Sequence, residues 1–115
     1  LLQRWLLRSA HAHLAPALAA EAARHGLSYK RVQVRRQRTR WGSCSRSGTI
    51  SLNACLMFQR PEVLRYLLAH ELAHTVHMNH SRRFWKLVER MEPDWRALDQ
   101  ALARGWRHVP GWAVR

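Results

Sequence analysis

The residues best able to do chemistry in this chain are His70, Glu71 and His74, in the order His-Glu-Leu-Ala-His. Residues four apart on a helix point to nearly the same side, about 40° apart and about 6 Å along the axis. Two imidazole nitrogens can therefore meet one metal ion at about 2.0–2.1 Å. Glu71 stands one position round and reaches the same cleft without ligating. There it can accept a proton from a water that the metal acidifies, and pass it to a leaving group. A catalytic zinc ordinarily takes three protein ligands and keeps one position open. His77, His80, Glu89 and Glu92 are the candidates for the third. His80 is favoured, because it lies just past the expected helix end, where a turning chain can bring it back. His77 has poorer reach and suits a group that touches substrate or supports a ligand.

The elements that must position these groups follow from pattern. Pro61 opens the metal-binding helix at its favoured first position, with Glu62 beside it to suit the dipole. Leu64, Leu67, Leu68, Leu72 and Val76 give the helix its apolar stripe, and Asn79 can close it in a left-handed conformation. Ser81 can cap the next helix, whose inner face is Phe84, Trp85, Val88 and Met91. Pro93 restarts a final helix running to about Gly105, and the tail from Trp106 to Arg115 reads as irregular chain. Upstream, residues 2–25 are helical, with Leu7, Leu14 and Leu18 on one face and Gly26 as the stop. Pro16 predicts a kink or two shorter helices. Residues 29–38 and 49–53 alternate as strands, with Ser45–Gly48 as a hairpin turn, giving two or three antiparallel strands. His11, His13 and His25 have no ligand-spaced partner and read as surface histidines.

Composition narrows the class. The chain has 115 residues, enough for one domain with a modest core. It begins with Leu, so it reads as part of a longer protein. No apolar run reaches the roughly 18–20 residues of a membrane span. Its net charge is +13, from 20 Lys and Arg against seven Asp and Glu. That balance favours anionic partners such as a nucleotide or nucleic acid. Cys44 and Cys55 are too few for a disulfide scaffold and form no Cys-x-x-Cys pair, so free thiols and a cytoplasmic setting are expected. Arg36, Arg38 and Arg40 read as a solvated strand face that could also meet an anionic substrate.

Several separated motifs together resemble one family. They are Arg40-Trp41-Gly42-Ser43-Cys44-Ser45, then Gly48, Ile50, Leu52-Asn53, Pro61 and Tyr66. His70 to His74, Asn79-His80-Ser81 and Phe84-Trp85 follow in the same order. In this arrangement the chain resembles the YgjP-like metallopeptidases, from about Trp5 to Leu102. The resemblance implies a zincin-like fold related to SprT-type proteases. It implies one zinc ion on His70, His74 and His80, with Glu71 as the catalytic glutamate. It also implies a peptidase, although a pyrophosphatase activity toward uridine triphosphate has been attached to the family. The chain departs from its relatives at Ala54 and Cys55, where an aromatic and a basic residue are common. It also lacks their strand-rich N-terminal segment.

The expectation is thus an α+β, zincin-like catalytic domain over residues 1–115. It comprises an N-terminal helix, a small antiparallel sheet, an active-site helix and C-terminal helices. The expected reaction is hydrolysis of a peptide or protein substrate by a zinc-activated water with Glu71 as base. His77, Arg40 and Tyr66 are candidate substrate or supporting residues. One rival is a nucleotide pyrophosphatase on the same metal. Another is a basic nucleic-acid-binding module with a structural zinc, which would need four protein ligands, His77 and His80 both among them.

Overall fold

The computed structural model describes residues 1–114. Helix α1 (Leu2–His25) buries Leu6, Ala10, Leu14, Leu18 and Ala22, one residue per turn, and ends on Gly26 in the left-handed conformation at φ 66°. The break expected at Pro16 does not occur, and the helix runs unbroken through it. Leu14 and Leu18 on either side are wholly buried while Pro16 faces outward. Packing of that stripe overrides the local cost of the missing N–H and the crowding ring.

Strands β1 (Arg31–Arg35), β2 (Gly42–Cys44) and β3 (Thr49–Asn53) form one sheet in the order β1-β3-β2. The turn at Ser45–Gly48 makes β2 and β3 an antiparallel hairpin, with Ser43 opposite Ser51. Strand β1 is shorter than the alternating stretch 29–38, and it pairs with β3 in parallel, Val32 beside Ile50 and Val34 beside Leu52. The antiparallel sheet expected from sequence is therefore corrected to a mixed one. Alternation reports a strand and its faces but not its neighbour, and consecutive strands pair only about two-thirds of the time. Here residues 36–41 carry the chain past the end of β3 to the opposite edge. Asn53, wholly buried at that end, holds the crossing. Its amide nitrogen donates to the carbonyls of Gln37 and Arg40 at 2.9 and 2.7 Å, and its Oδ1 accepts the Cys55 N–H at 2.9 Å.

A 3-10 turn (Ala54–Phe58) leads to α2 (Pro61–Ala73), which starts on proline and buries Leu64, Leu67, Leu68 and Leu72. Val76 does not complete that stripe and is 52% exposed. The helix stops early because its last turn tightens. His74, Thr75 and Val76 donate to the carbonyls three residues back, on Glu71, Leu72 and Ala73. Asn79 makes no left-handed cap, since no non-glycine residue among those described has positive φ. Ser81 caps α3 (Arg82–Met91), its Oγ accepting the Phe84 N–H at 3.3 Å. Phe84, Val88 and Met91 are buried and Trp85 half-buried. Helix α4 (Trp95–Arg104) follows Pro93.

The tail is not irregular. It forms a helical turn at Gly105–His108 and a short helix, α5 (Gly111–Val114). Trp106 stacks on Trp41 with centroids 4.0 Å apart, Ala113 is wholly buried, and the Gln3 side chain donates to the Trp112 carbonyl at 2.9 Å. The order comes from large tryptophan surfaces that no periodicity announces. Among the described residues no helix is long and apolar enough to cross a membrane.

Because Pro16 sits on the outer face of an otherwise regular helix, Pro16→Ala is expected to stabilise the protein by about 1–3 kcal/mol. Urea unfolding checks this; an unchanged or lowered midpoint would show that the proline contributes to the native state.

Candidate metal centre

Helix α2 carries His70 and Glu71 and ends at His74, and the segment between α2 and α3 delivers His80. Ligand atoms of His70, His74 and His80 all lie within 4.8 Å of one another. Helix α3 walls the cluster. Phe84 packs on His74 at 4.4 Å, and Trp85 stacks near His70 and His80 at 5.7 and 5.6 Å. The Ser81 cap starts α3 one residue after His80, so the third imidazole is placed by the onset of the next helix rather than by a glycine turn.

The electrostatics favour neutral imidazoles. Burial, then the neighbouring imidazoles of His74 and His80, push the His70 pKa down to about 3. His74 is also lowered, again first by burial. With its Nδ1 protonated, His74 donates to the His77 carbonyl at 3.1 Å, which leaves Nε2 with a free lone pair. Glu71 is 4% exposed, and burial pushes its carboxyl up to about 8 against the opposing charge of Arg40. The contact between His70 Nδ1 and Glu71 Oε2 is 3.9 Å, too long for a hydrogen bond, and both groups are driven toward neutrality by burial.

Two polar atoms at the centre, His70 Nε2 and Glu71 Oε1, are buried without a hydrogen-bond partner. Such atoms cost about 1–3 kcal/mol each unless something meets them. A metal ion among the imidazoles would take up the nitrogen lone pair. Three imidazoles suit zinc and its transition-metal neighbours, not magnesium or calcium. The residues present fit such an ion.

Strand β2 supplies the other wall. A Cβ on Gly42 would lie 3.2 Å from Glu71 Cγ, from Leu67 Cδ1 and from the Ser51 carbonyl oxygen. Any side chain there would force a neighbour to give by a few tenths of an ångström. This gives the Trp41-Gly42 pair a physical role: Trp41 anchors the strand start against Trp106, and Gly42 lets it lie on Glu71. Sequence reasoning places Trp41 in the core and Gly42 in a tight backbone passage, but it misses the approach of that strand to Glu71 and the buried amide of Asn53. A lone glycine leading into a strand was the available signal.

The remaining expected residues fall into different places. Tyr66 is wholly buried, donates to Asp99 at 2.8 Å and stacks 6.0 Å from His70, so it supports that imidazole from behind rather than facing a substrate. Arg40 is exposed and bears on Glu71 through its charge. Arg36 and Arg38 instead donate to the tail carbonyls of Ala113 and Val114. His77 contributes its carbonyl and is outside the cluster. Glu89 is exposed, and Glu92 accepts from Arg65 at 3.0 Å. His11 and His13 are exposed, while His25 meets Glu21 at 3.2 Å. Cys44 and Cys55 are both free. Burial raises the Cys44 pKa, with a further contribution from Glu71, which argues against a thiolate nucleophile.

An α+β domain with three convergent imidazoles and a carboxyl beside them has the donor set of a metal-dependent hydrolase. The chain belongs to the YgjP-like family, whose metallopeptidase domain matches residues 1–105. Two solved structures share the fold. One is the metallopeptidase zymogen of Pyrococcus abyssi abylysin, with a TM-score of 0.72 and 24% identity, the match covering 84% of this chain and 97% of that one. The other is the metallopeptidase zymogen of Methanocaldococcus jannaschii jannalysin, with a TM-score of 0.69 and 15% identity over 81% of this chain and 96% of that one. No curated protein matches the chain in sequence.

A methyl group at position 42 must displace Glu71, Leu67 or the strand by a few tenths of an ångström. Gly42→Ala is therefore expected to lower peptidase turnover about tenfold while leaving metal content unchanged. Turnover and metal stoichiometry measured on the same preparation check this; equal turnover would show that Glu71 does not depend on the close approach.

Proposed function

We propose that this domain hydrolyses peptide bonds with one zinc ion held by His70, His74 and His80, and with Glu71 as general base. The observation that carries the reading is the convergence of three imidazoles beside a buried carboxyl with an unpaired oxygen. Among the described residues the cluster contains three protein ligands, not four, which supports a catalytic rather than a structural ion.

Zinc so placed supplies Lewis acidity, which acidifies a water and polarises the substrate carbonyl. The protein's own groups do the rest. Glu71 Oε1 faces no competing donor, and in the ionised form that a neighbouring cation favours it takes the proton of the attacking water. The burial that favours its protonated form lets the carboxyl hold that proton until the departing amine accepts it. The His77 carbonyl keeps His74 in the tautomer that presents Nε2, and Tyr66, tied to Asp99, holds the His70 ring from behind. Phe84 and Trp85 exclude water from one side, which strengthens the electrostatic interactions at the centre.

The nucleotide reading draws on one observation, the charge of Arg40 beside Glu71, since phosphoryl transfer wants positive charge at the metal. Assaying the zinc-loaded protein on casein-derived peptides and uridine triphosphate in parallel separates the two. Peptide cleavage is expected; turnover of the triphosphate alone would overturn the peptidase reading. The basic surface also suits a nucleic-acid partner, and retention on DNA that falls steeply with salt would support one.

Glu71→Gln is expected to keep zinc and to lose at least about 100-fold in turnover, because an amide cannot take the proton. Full activity in that variant would remove Glu71 as the base. His80→Ala is expected to weaken zinc affinity more than about 100-fold, and His77→Ala, which retains its carbonyl, less than about tenfold. Competition with a chelator measures both, and a reversed order would exchange their roles.

A further inference from the structure

Beside the histidine cluster lies a second space, and its walls are chemically uneven. A cavity of about 390 Å³ is lined on one side by His74 and Met78 and on the other by Tyr29, Lys30 and Arg46. Lys30 and Arg46 are exposed cations, and neither is within ion-pair distance of an acidic group among the described residues. The surrounding chain offers no local neutralisation, because between Glu21 and Glu62 the sequence has no Asp or Glu at all. Over residues 27–61, the segment containing the whole sheet, there are eight Lys and Arg. Four of the seven acids are engaged by other groups: Glu21 with Arg24, Glu92 with Arg65, Glu62 with Arg60 and Asp99 with Tyr66.

The backbone segments that carry the two cations are also held in place relative to each other. The Lys30 N–H donates to the Gly48 carbonyl at 2.8 Å, and the Gly48 N–H donates to the Ser45 carbonyl at 3.0 Å. Gly48 adopts φ 90°, and a Cβ there would come within 3.3 Å of Lys30. Thus the hairpin turn carrying Arg46 is pinned to the backbone of Lys30, and both cations rise from fixed points on the cavity rim. Charge of one sign beside a reaction centre discriminates among substrates chiefly by sign.

From this we infer that the cavity beside His74 is a substrate subsite selecting peptides with a carboxylate side chain, Asp or Glu, close to the bond that is cut. Lys30 and Arg46 receive the carboxylate, and Tyr29 and Met78 pack its methylene stem. The inference rests on the peptidase reading above and names its substrate class. The cations recognise the carboxylate and take no part in the chemical step.

The test uses the zinc-loaded protein and three sets of peptides of one length, differing only in Glu, Gln or Lys at positions flanking the cleavage site. Each exposed pair is worth at most about fivefold, so two together should favour the Glu peptides over the Lys peptides in kcat/KM by about tenfold or more. The difference should sit mainly in KM and shrink as salt rises. Lys30→Glu combined with Arg46→Glu should invert the ratio, and Lys30→Gln with Arg46→Gln should flatten it. Because each ratio is taken within one preparation, partial loss of folded protein cancels. Equal rates on Glu and Lys peptides in the parent protein, or a ratio unmoved in the neutralised variant, would overturn the subsite. Failure to cut any of the three sets would instead overturn the peptidase reading, and the subsite with it.

Discussion

A carboxyl group held inside a small protein with one oxygen unpaired is the constraint on which this structure turns. Glu71 sits in the last turn of the helix that buries more residues than any other element, on its inward face. The chain surrounds it. Leucines of α2 pack on either side, Gly42 brings a strand against its methylene, and Arg40 stands at the rim with a compensating charge. Each arrangement constrains the next. The strand lies so close with no neighbour displaced because position 42 has no side chain. It stays there because Trp41, one residue earlier, is fixed by Trp106 from the far end of the sequence.

The three imidazoles are subject to the same logic at shorter range. The helix places two of them by its own pitch. The third depends on how the helix ends, and that ending is a tightening of backbone hydrogen bonds at His74 to Val76 followed at once by a new capped helix. Ser81 thus matters to His80 although it touches no histidine. Tyr66 and the His77 carbonyl complete the support, one through the back of a ring and one through a ring nitrogen. A site of this kind is held by secondary structure on three sides, which is what precise placement of small groups requires.

How much of this could be read from sequence depended on whether the signal was local. His70, Glu71 and His74 are legible because a helix converts their spacing directly into geometry. Pro61, Ser81 and Gly26 are legible because caps and stops are properties of single positions. Strand pairing is not local, and β1 was assigned to the wrong kind of neighbour because alternation carries no information about which strand lies alongside. The role of Gly42 needed the knowledge that Glu71 comes opposite it, and that of Asn53 needed the crossing it pins. Pro16 misled in the opposite sense: a strong local signal for a bend was overruled by leucines buried on both sides. The tail misled because its order comes from aromatic surface meeting partners far away in sequence.

That distant meeting has a consequence for how the molecule is assembled. The hydrogen bond from Gln3 to the Trp112 carbonyl joins residues 109 apart, and Trp106 reaches back to Trp41 across roughly half the chain. Loop closure over such distances is entropically expensive relative to the turns and helices that form locally. The strand that covers Glu71 is therefore completed by one of the latest contacts the chain can make. Hydrolytic competence is thereby tied to contacts that are distant in sequence, and Gln3, Trp106 and Trp112 help to fasten a centre to which none of them belongs.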